Sequence, residues 1–315
     1  MRALVYTNTK NLSFENIQEE KIKKNLISVG VNYVSICGSD ILGYLGKSPG
    51  RVPPLILGHE FTGYYKKKNV VVNPIINNKQ KNKKIEYNLD NKMQLLGLHI
   101  DGAFREKLQV PKKNLIFYDS NKFPSYLMTL TEPLACAVNA VESAKISSNK
   151  KVLIIGYGCL GFMINIILKF KKLKIVHVYD KSKLKSNLAK INKSSSIDLN
   201  KIKNNYYDII FDCVGSTNTH KNSLNFVKNG GNIILVGYKE GSSGFDFVEI
   251  VRRQISLIGI MAYNNKQFIE AFIILKKKYK IFKNLVKVYP FSSAKTAFRN
   301  ASSVKNKYLR HIVKI

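Results

Sequence analysis

The 315-residue chain carries 52 Lys and Arg against 20 Asp and Glu, a formal net charge of +32, with 45% apolar residues. That length suits two domains better than one small core, and the apolar residues fall in short runs, the longest at 152–155 and 162–168, too short for a membrane-spanning helix. Four widely spaced cysteines (Cys37, Cys136, Cys159, Cys213) argue against a disulfide framework, and the N-terminus has no apolar signal core, so a reducing, cytoplasmic setting is expected.

The charge raises nucleic acid as a partner, but only seven of the basic residues are arginine. Lysine is spread along the chain with abundant Asn and Ile, the bias that AT-rich coding produces, whereas nucleic-acid surfaces favour Arg forks and clustered aromatics. Nucleic acid is therefore not the expected partner, although an anionic substrate or cofactor would be attracted in a salt-dependent way.

From residue 1 to about 115 the texture is strand-like, with runs at 26–34, 64–72 and 104–110 punctuated by Gly, Pro and Asn, which predicts a β-rich lobe. The basic, aperiodic 77–84 stretch reads as a solvated loop. A helical segment is expected over 125–143, interrupted at Glu132-Pro133. A different rhythm begins at Lys151: strands at 152–155, 175–179, 208–214 and 232–236 alternate with helical spacing such as 162–170, which predicts a parallel, doubly wound sheet. A helix over 267–279 and a strand over 311–315 complete the α/β pattern. The expected division is 1–140 with 266–315 for the β-rich lobe and 141–265 for the doubly wound one.

Gly156-Tyr157-Gly158-Cys159-Leu160-Gly161 follows a buried strand and opens a helix, the setting in which a glycine pattern signals a dinucleotide site. The first glycine would make the turn, the second would let backbone N–H groups approach the pyrophosphate, and the third would allow close helix packing. Asp180 ends the next strand, 19 positions after Gly161, where a carboxylate would bind the ribose hydroxyls and repel a 2′-phosphate. NAD is expected over NADP, with Lys181 and Lys183 softening the preference.

In the β-rich lobe stand Cys37-Gly38-Ser39-Asp40 and Gly58-His59-Glu60, with Glu132-Pro133-Leu134-Ala135-Cys136 at its edge. Thiolate, imidazole and carboxylate are the ligand types of a catalytic zinc that keeps one position open. Together with Asp101-Gly102-Ala103-Phe104, the glycine turn, and residues 208–215 and 230–237, these motifs resemble the zinc-dependent medium-chain alcohol dehydrogenases over nearly the whole chain. The Glu-Pro-Leu segment is more similar to the polyol, threonine and sugar-acid branch, and the 96–104 stretch with His99 to its sugar-acid members.

The resemblance implies a GroES-like catalytic domain, a Rossmann domain, and hydride transfer between a secondary alcohol (polyol, sugar or sugar acid) and NAD. It implies one catalytic zinc held by Cys37, His59 and Glu132, with Glu60 a further ligand or an exchanging carboxylate; Cys136 competes with Glu132 as a ligand. Asp40 would orient His59, and Ser39 would take the hydroxyl proton. A homodimer or tetramer is also implied. Two departures stand out. The family's relay histidine is replaced by Leu42, leaving water, the cofactor ribose, Tyr44 or His99 to carry the proton, and the four-cysteine lobe that would hold a structural zinc has no cysteine here. Arg51, Arg105 and His99 are candidates for an anionic substrate group, with surface roles the plainer expectation. Two rival readings are a zinc-free, NADPH-linked quinone or enoyl reductase on the same fold and a basic nucleic-acid-binding protein on an inactive dehydrogenase scaffold.

Overall fold

A computed structural model describes residues 1–76, 88–171, 173, 175–238, 244–303 and 306–315; the expected loop at 77–84 lies outside them. The chain divides into two compact units, Met1–Glu132 with Asn264–Ile315, and Pro133–Tyr263. No helix among the described residues is long and apolar enough to cross a membrane.

The first unit is built on a sheet whose central strand, Leu26–Ser35, pairs antiparallel with Glu60–Tyr65 on one side and Arg310–Lys314 on the other. Its register sets Ser35 opposite both Glu60 and Ile312. The 64–72 run, read as a single strand-like stretch, is a hairpin: Glu60–Tyr65 turns into Lys68–Val72 at Lys66 and Lys67, both with positive φ. Apolar strand residues, including Val29, Val31, Phe61 and Val70, join Phe104 from a loop and Phe298 from the Ala294–Ser302 helix in one core.

The second unit holds a six-stranded, wholly parallel sheet. Numbered by position along the chain, its strands Lys151–Ile155, Ile175–Tyr179, Ser195–Ser196, Tyr207–Asp212, Val227–Leu235 and Ser256–Gly259 lie in the order 3-2-1-4-5-6 of a dinucleotide-binding sheet. Both faces are covered, so the inner strands are solid apolar runs; Val152 to Ile155 are all buried.

The helical break falls elsewhere than Glu132-Pro133. It lies at 129–130, between Ser125–Met128 and Thr131–Ser143. Pro133 sits in the first turn of the second helix, where its missing N–H has no helical acceptor to serve.

Candidate metal centre and dinucleotide turn

The short helix Gly38–Tyr44 begins just after Cys37, and Asp40 in its first turn accepts the Cys37 backbone N–H at 3.1 Å. This tight start fixes Cys37 and Asp40 together. Gly58, at φ +96°, turns the chain into the Glu60–Tyr65 strand, and a Cβ there would meet Phe104 and Val34 at 2.8 Å. Cys37, His59 and Glu60 thereby come together, each offering one donor atom within 4.8 Å of the others.

Asp40 is fully buried, with Oδ1 3.4 Å from His59 Nδ1 and 3.7 Å from Arg51 Nη2. Burial works against ionisation of Asp40, but His59 and Arg51 outweigh it and hold the carboxyl below its ordinary range. For His59, burial disfavours charge, yet Asp40 and Cys37 reverse the balance and push its pKa well above the usual value. The pocket thus favours positive charge at His59, beside the Cys37 thiol and the Asp40 carboxylate. A half-buried thiol with a buried imidazole and carboxylate in mutual reach fits a zinc ion by donor chemistry.

Glu60 has other partners. Arg310 donates to it through both Nε (3.0 Å to Oε2) and Nη2 (2.9 Å to Oε1), and Ser35 donates a short hydrogen bond to Oε2. The strand register explains the cluster, since Ser35 lies beside Glu60 on one neighbour and near Arg310 on the other. Arg310 Nη2 also lies 4.0 Å from Cys37 Sγ. Neither Ser35 nor Arg310 had been singled out from the sequence. The available signal was that Arg310 is one of seven arginines in a chain whose charge is otherwise lysine.

Glu132 is buried but stands outside the gathered trio, and Cys136 belongs to the second unit. Ser39 Oγ accepts a hydrogen bond from Arg51 Nη2 at 3.0 Å. The expectation of surface roles fails for Arg51 and Arg105, which are 4% and 6% exposed. Gly43 leaves space for the Arg51 stem to cross the helix, since a Cβ there would meet Arg51 Cδ at 2.4 Å, and Arg105 is drawn inward beside Glu20 at 3.2 Å. His99 accepts the Leu95 N–H on Nδ1, and burial together with Arg51 lowers its pKa. Tyr44 is packed in the core, its ring 5.6 Å from that of Phe298.

In the second unit, Gly156 takes φ +90° as the Lys151–Ile155 strand ends, and Gly158 caps the Cys159–Phe170 helix. A Cβ at Gly158 would meet nothing within 4 Å, whereas one at Gly161 would lie 2.1 Å from Gly156 O. The turn thus has an open approach above Gly158 and tight packing beneath Gly161, at a helix N-terminus of the kind suited to a phosphate. Cys159 is buried against Met163, and Leu160 is half-buried. Asp180 accepts Tyr157 N–H on Oδ2 (2.7 Å) and Ser182 N–H on Oδ1 (2.8 Å), which ties the carboxylate to the glycine turn. The Tyr157 hydroxyl, buried beneath, accepts from Asn165 (2.6 Å) and Asn192 (3.0 Å).

Two family models match the chain, the alcohol dehydrogenase GroES-like domain over residues 23–119 and the zinc-binding dehydrogenase over residues 169–277. Among curated proteins it is similar to L-galactonate-5-dehydrogenase of Escherichia coli K12, 24% identical over 82% of each chain. It also resembles (R,R)-butanediol dehydrogenase of Bacillus subtilis, 31% identical over 52% of this chain and 53% of that one. The fold matches the crystal structure of 2R,3R-butanediol dehydrogenase from Bacillus subtilis with a TM-score of 0.87 at 23% identity, covering 100% of this chain and 99% of the other. With these motifs, this pair of folds and these matches, the chain belongs to the zinc-type medium-chain alcohol dehydrogenases, oxidoreductases that act on CH–OH groups with zinc and a nicotinamide dinucleotide.

Proposed function

We propose that the protein is a cytoplasmic NAD-linked dehydrogenase of a secondary alcohol in a polyol, sugar or sugar acid, with one zinc held by Cys37, His59 and a carboxylate. The observation that carries this reading is the gathering of half-buried Cys37 with buried His59 and Glu60. Glu60 and Glu132 remain the alternative carboxylates. Arg310 already binds Glu60 through two hydrogen bonds, which favours Glu60 as an exchanging group and Glu132 as the standing ligand.

Zinc held by Cys37, His59 and a carboxylate would supply a Lewis acid for the substrate hydroxyl, and a bound nicotinamide dinucleotide would supply the hydride acceptor. The chain's own residues do the rest. Asp40 orients His59 through Nδ1. Arg51 occupies a lone pair of Ser39 Oγ, so the serine hydroxyl is oriented to receive the substrate proton and release its own outward. Asp180 at the end of its strand favours ribose hydroxyls over a 2′-phosphate, with exposed Lys181 and Lys183 moderating the discrimination. L-Galactonate, named for one relative, suits the basic character of this chain, and buried Arg51 beside Ser39 is the cation we assign to a substrate carboxylate. A second copy of the chain is the proposed partner, docking on the sheet-edge strand Ser256–Gly259 and the exposed Phe247, Val248 and Val251 nearby.

Metal content per chain, measured with NADH titration of wild type and Cys37→Ala, tests the reading. The expected result is one zinc per wild-type chain, lost in the variant while NADH still binds. Tight NADH binding by a wild-type protein free of zinc would overturn the metal assignment.

A further inference from the structure

We propose that a cavity floored by His311 is an anion site, separate from the metal donors, built for a phosphate dianion. It lies in the first unit between the parallel strands Val286–Pro290 and Arg310–Lys314. Successive side chains on a strand face opposite ways, and Arg310 is turned to Glu60, so His311 and the cavity occupy the other face.

The floor is a closed hydrogen-bond chain. Asn300 Nδ2 donates to Tyr289 Oη at 3.2 Å, Tyr289 Oη meets His311 Nδ1 at 2.9 Å, and His311 Nε2 meets Asn306 Oδ1 at 2.9 Å. A neutral imidazole satisfies every link, with the tyrosine hydroxyl donating to Nδ1 and Nε2–H donating to Asn306. Burial and the nearby Lys287 ammonium hold His311 down to about 4, so the floor is uncharged at neutral pH.

The charge comes from the walls. Lys287 Nζ stands 5.3 Å from the Tyr289 ring and 6.0 Å from the Tyr308 ring, and Lys307 Nζ stands 5.6 Å from Tyr308 on its own side. Aromatic faces hold ammonium groups in place without neutralising them. Neither lysine takes part in an ion pair among the described residues, and the chain contains no Asp or Glu anywhere from 271 to 315. Unpaired lysines are common on so basic a protein, but these two share a recess of about 240 Å³. That is below the roughly 300–1,000 Å³ of drug-sized sites and suits a small anion. Two ammonium charges over a neutral polar floor are balanced by a dianion, and lysine binds phosphate as a point charge.

Free phosphate and a small phosphomonoester share this chemistry. Calorimetry on the full chain, with inorganic phosphate and with glycerol 3-phosphate against chloride at matched ionic strength, separates them. Saturable binding of at least one is expected, with the tighter ligand identifying the source. The K287M/K307M variant keeps both aliphatic stems on the tyrosine rings and is expected to weaken that binding about tenfold or more while its NADH affinity stays unchanged. Phosphate heats no different from chloride would overturn the proposal, as would equal binding by wild type and variant.

Discussion

Arg310 stabilises a fully buried carboxylate, and that dependence can be measured. Arg310→Met leaves Glu60 buried without its counter-charge and is expected to cost about 3–5 kcal/mol in urea unfolding, whereas the E60M/R310M double variant recovers most of the loss. Recovery by the double variant separates the ion pair from simple packing. His311 makes a prediction with pH. Its folded value of about 4 lies below its unfolded value of about 6.5, so the unfolded chain binds the proton more readily. The stabilisation is therefore present above pH ~6.5 and is lost as pH falls towards ~4. Wild type is expected to lose about 1–2 kcal/mol more than His311→Asn between pH ~7 and ~4.5, after allowance for solvent screening. At this scale the sequence was legible where neighbours along the chain carry the chemistry, as in Cys37 with Asp40. It was silent about Ser35 and Arg310, because their meeting with Glu60 depends on strand register, across 25 positions for the serine and 250 for the arginine.

Among the elements, the glycine turn separates a binding role from a packing role. Gly158→Ala adds a methyl into open space and is expected to leave stability within about 0.5 kcal/mol while weakening NADH at least about tenfold, because the methyl enters the phosphate approach. Gly161→Ala forces a methyl onto Gly156 O and is expected to cost about 1–3 kcal/mol in thermal or urea unfolding. NADH titration beside unfolding curves reads both. Equal NADH binding by Gly158→Ala and wild type would remove the turn from the cofactor site. The parallel sheet was legible because strands covered on both faces read as solid apolar runs. The Lys66-Lys67 turn was hidden because lysine, rather than Gly or Asn, takes the positive φ at both positions. Pro133 misled for a different reason. A proline reads as an interruption from sequence, yet in the first turn of a helix it is tolerated.

For the whole molecule, exposed apolar residues beside a sheet edge lead to the self-association proposed above. Light scattering on the eluting protein is expected to give a mass of at least twice 35.8 kDa, and Val251→Lys with Val248→Lys is expected to shift it towards the monomer. A wild-type monomer at all concentrations tried would remove that interface. Fold class was readable at this scale from the change of rhythm near residue 151. The meaning of the +32 charge was not, because lysines spread evenly along a sequence can still converge locally, as Lys287 and Lys307 do around one recess.

The discontinuous first unit also has a consequence for biosynthesis. Its strand Arg310–Lys314 lies inside the sheet beside Leu26–Ser35, yet it leaves the ribosome after the entire Pro133–Tyr263 unit has been made. The nascent first segment therefore waits with Glu60 lacking its arginine and with residues 33–35 of the Leu26–Ser35 strand lacking their partner, while residues 26–30 can already pair with Lys107–Pro111; the open end is a strand edge of the kind that recruits chaperones or aggregates. The second unit is contiguous and has all six of its strands in hand by then, so it is the part able to fold during translation, while the pocket for the metal can mature only afterwards.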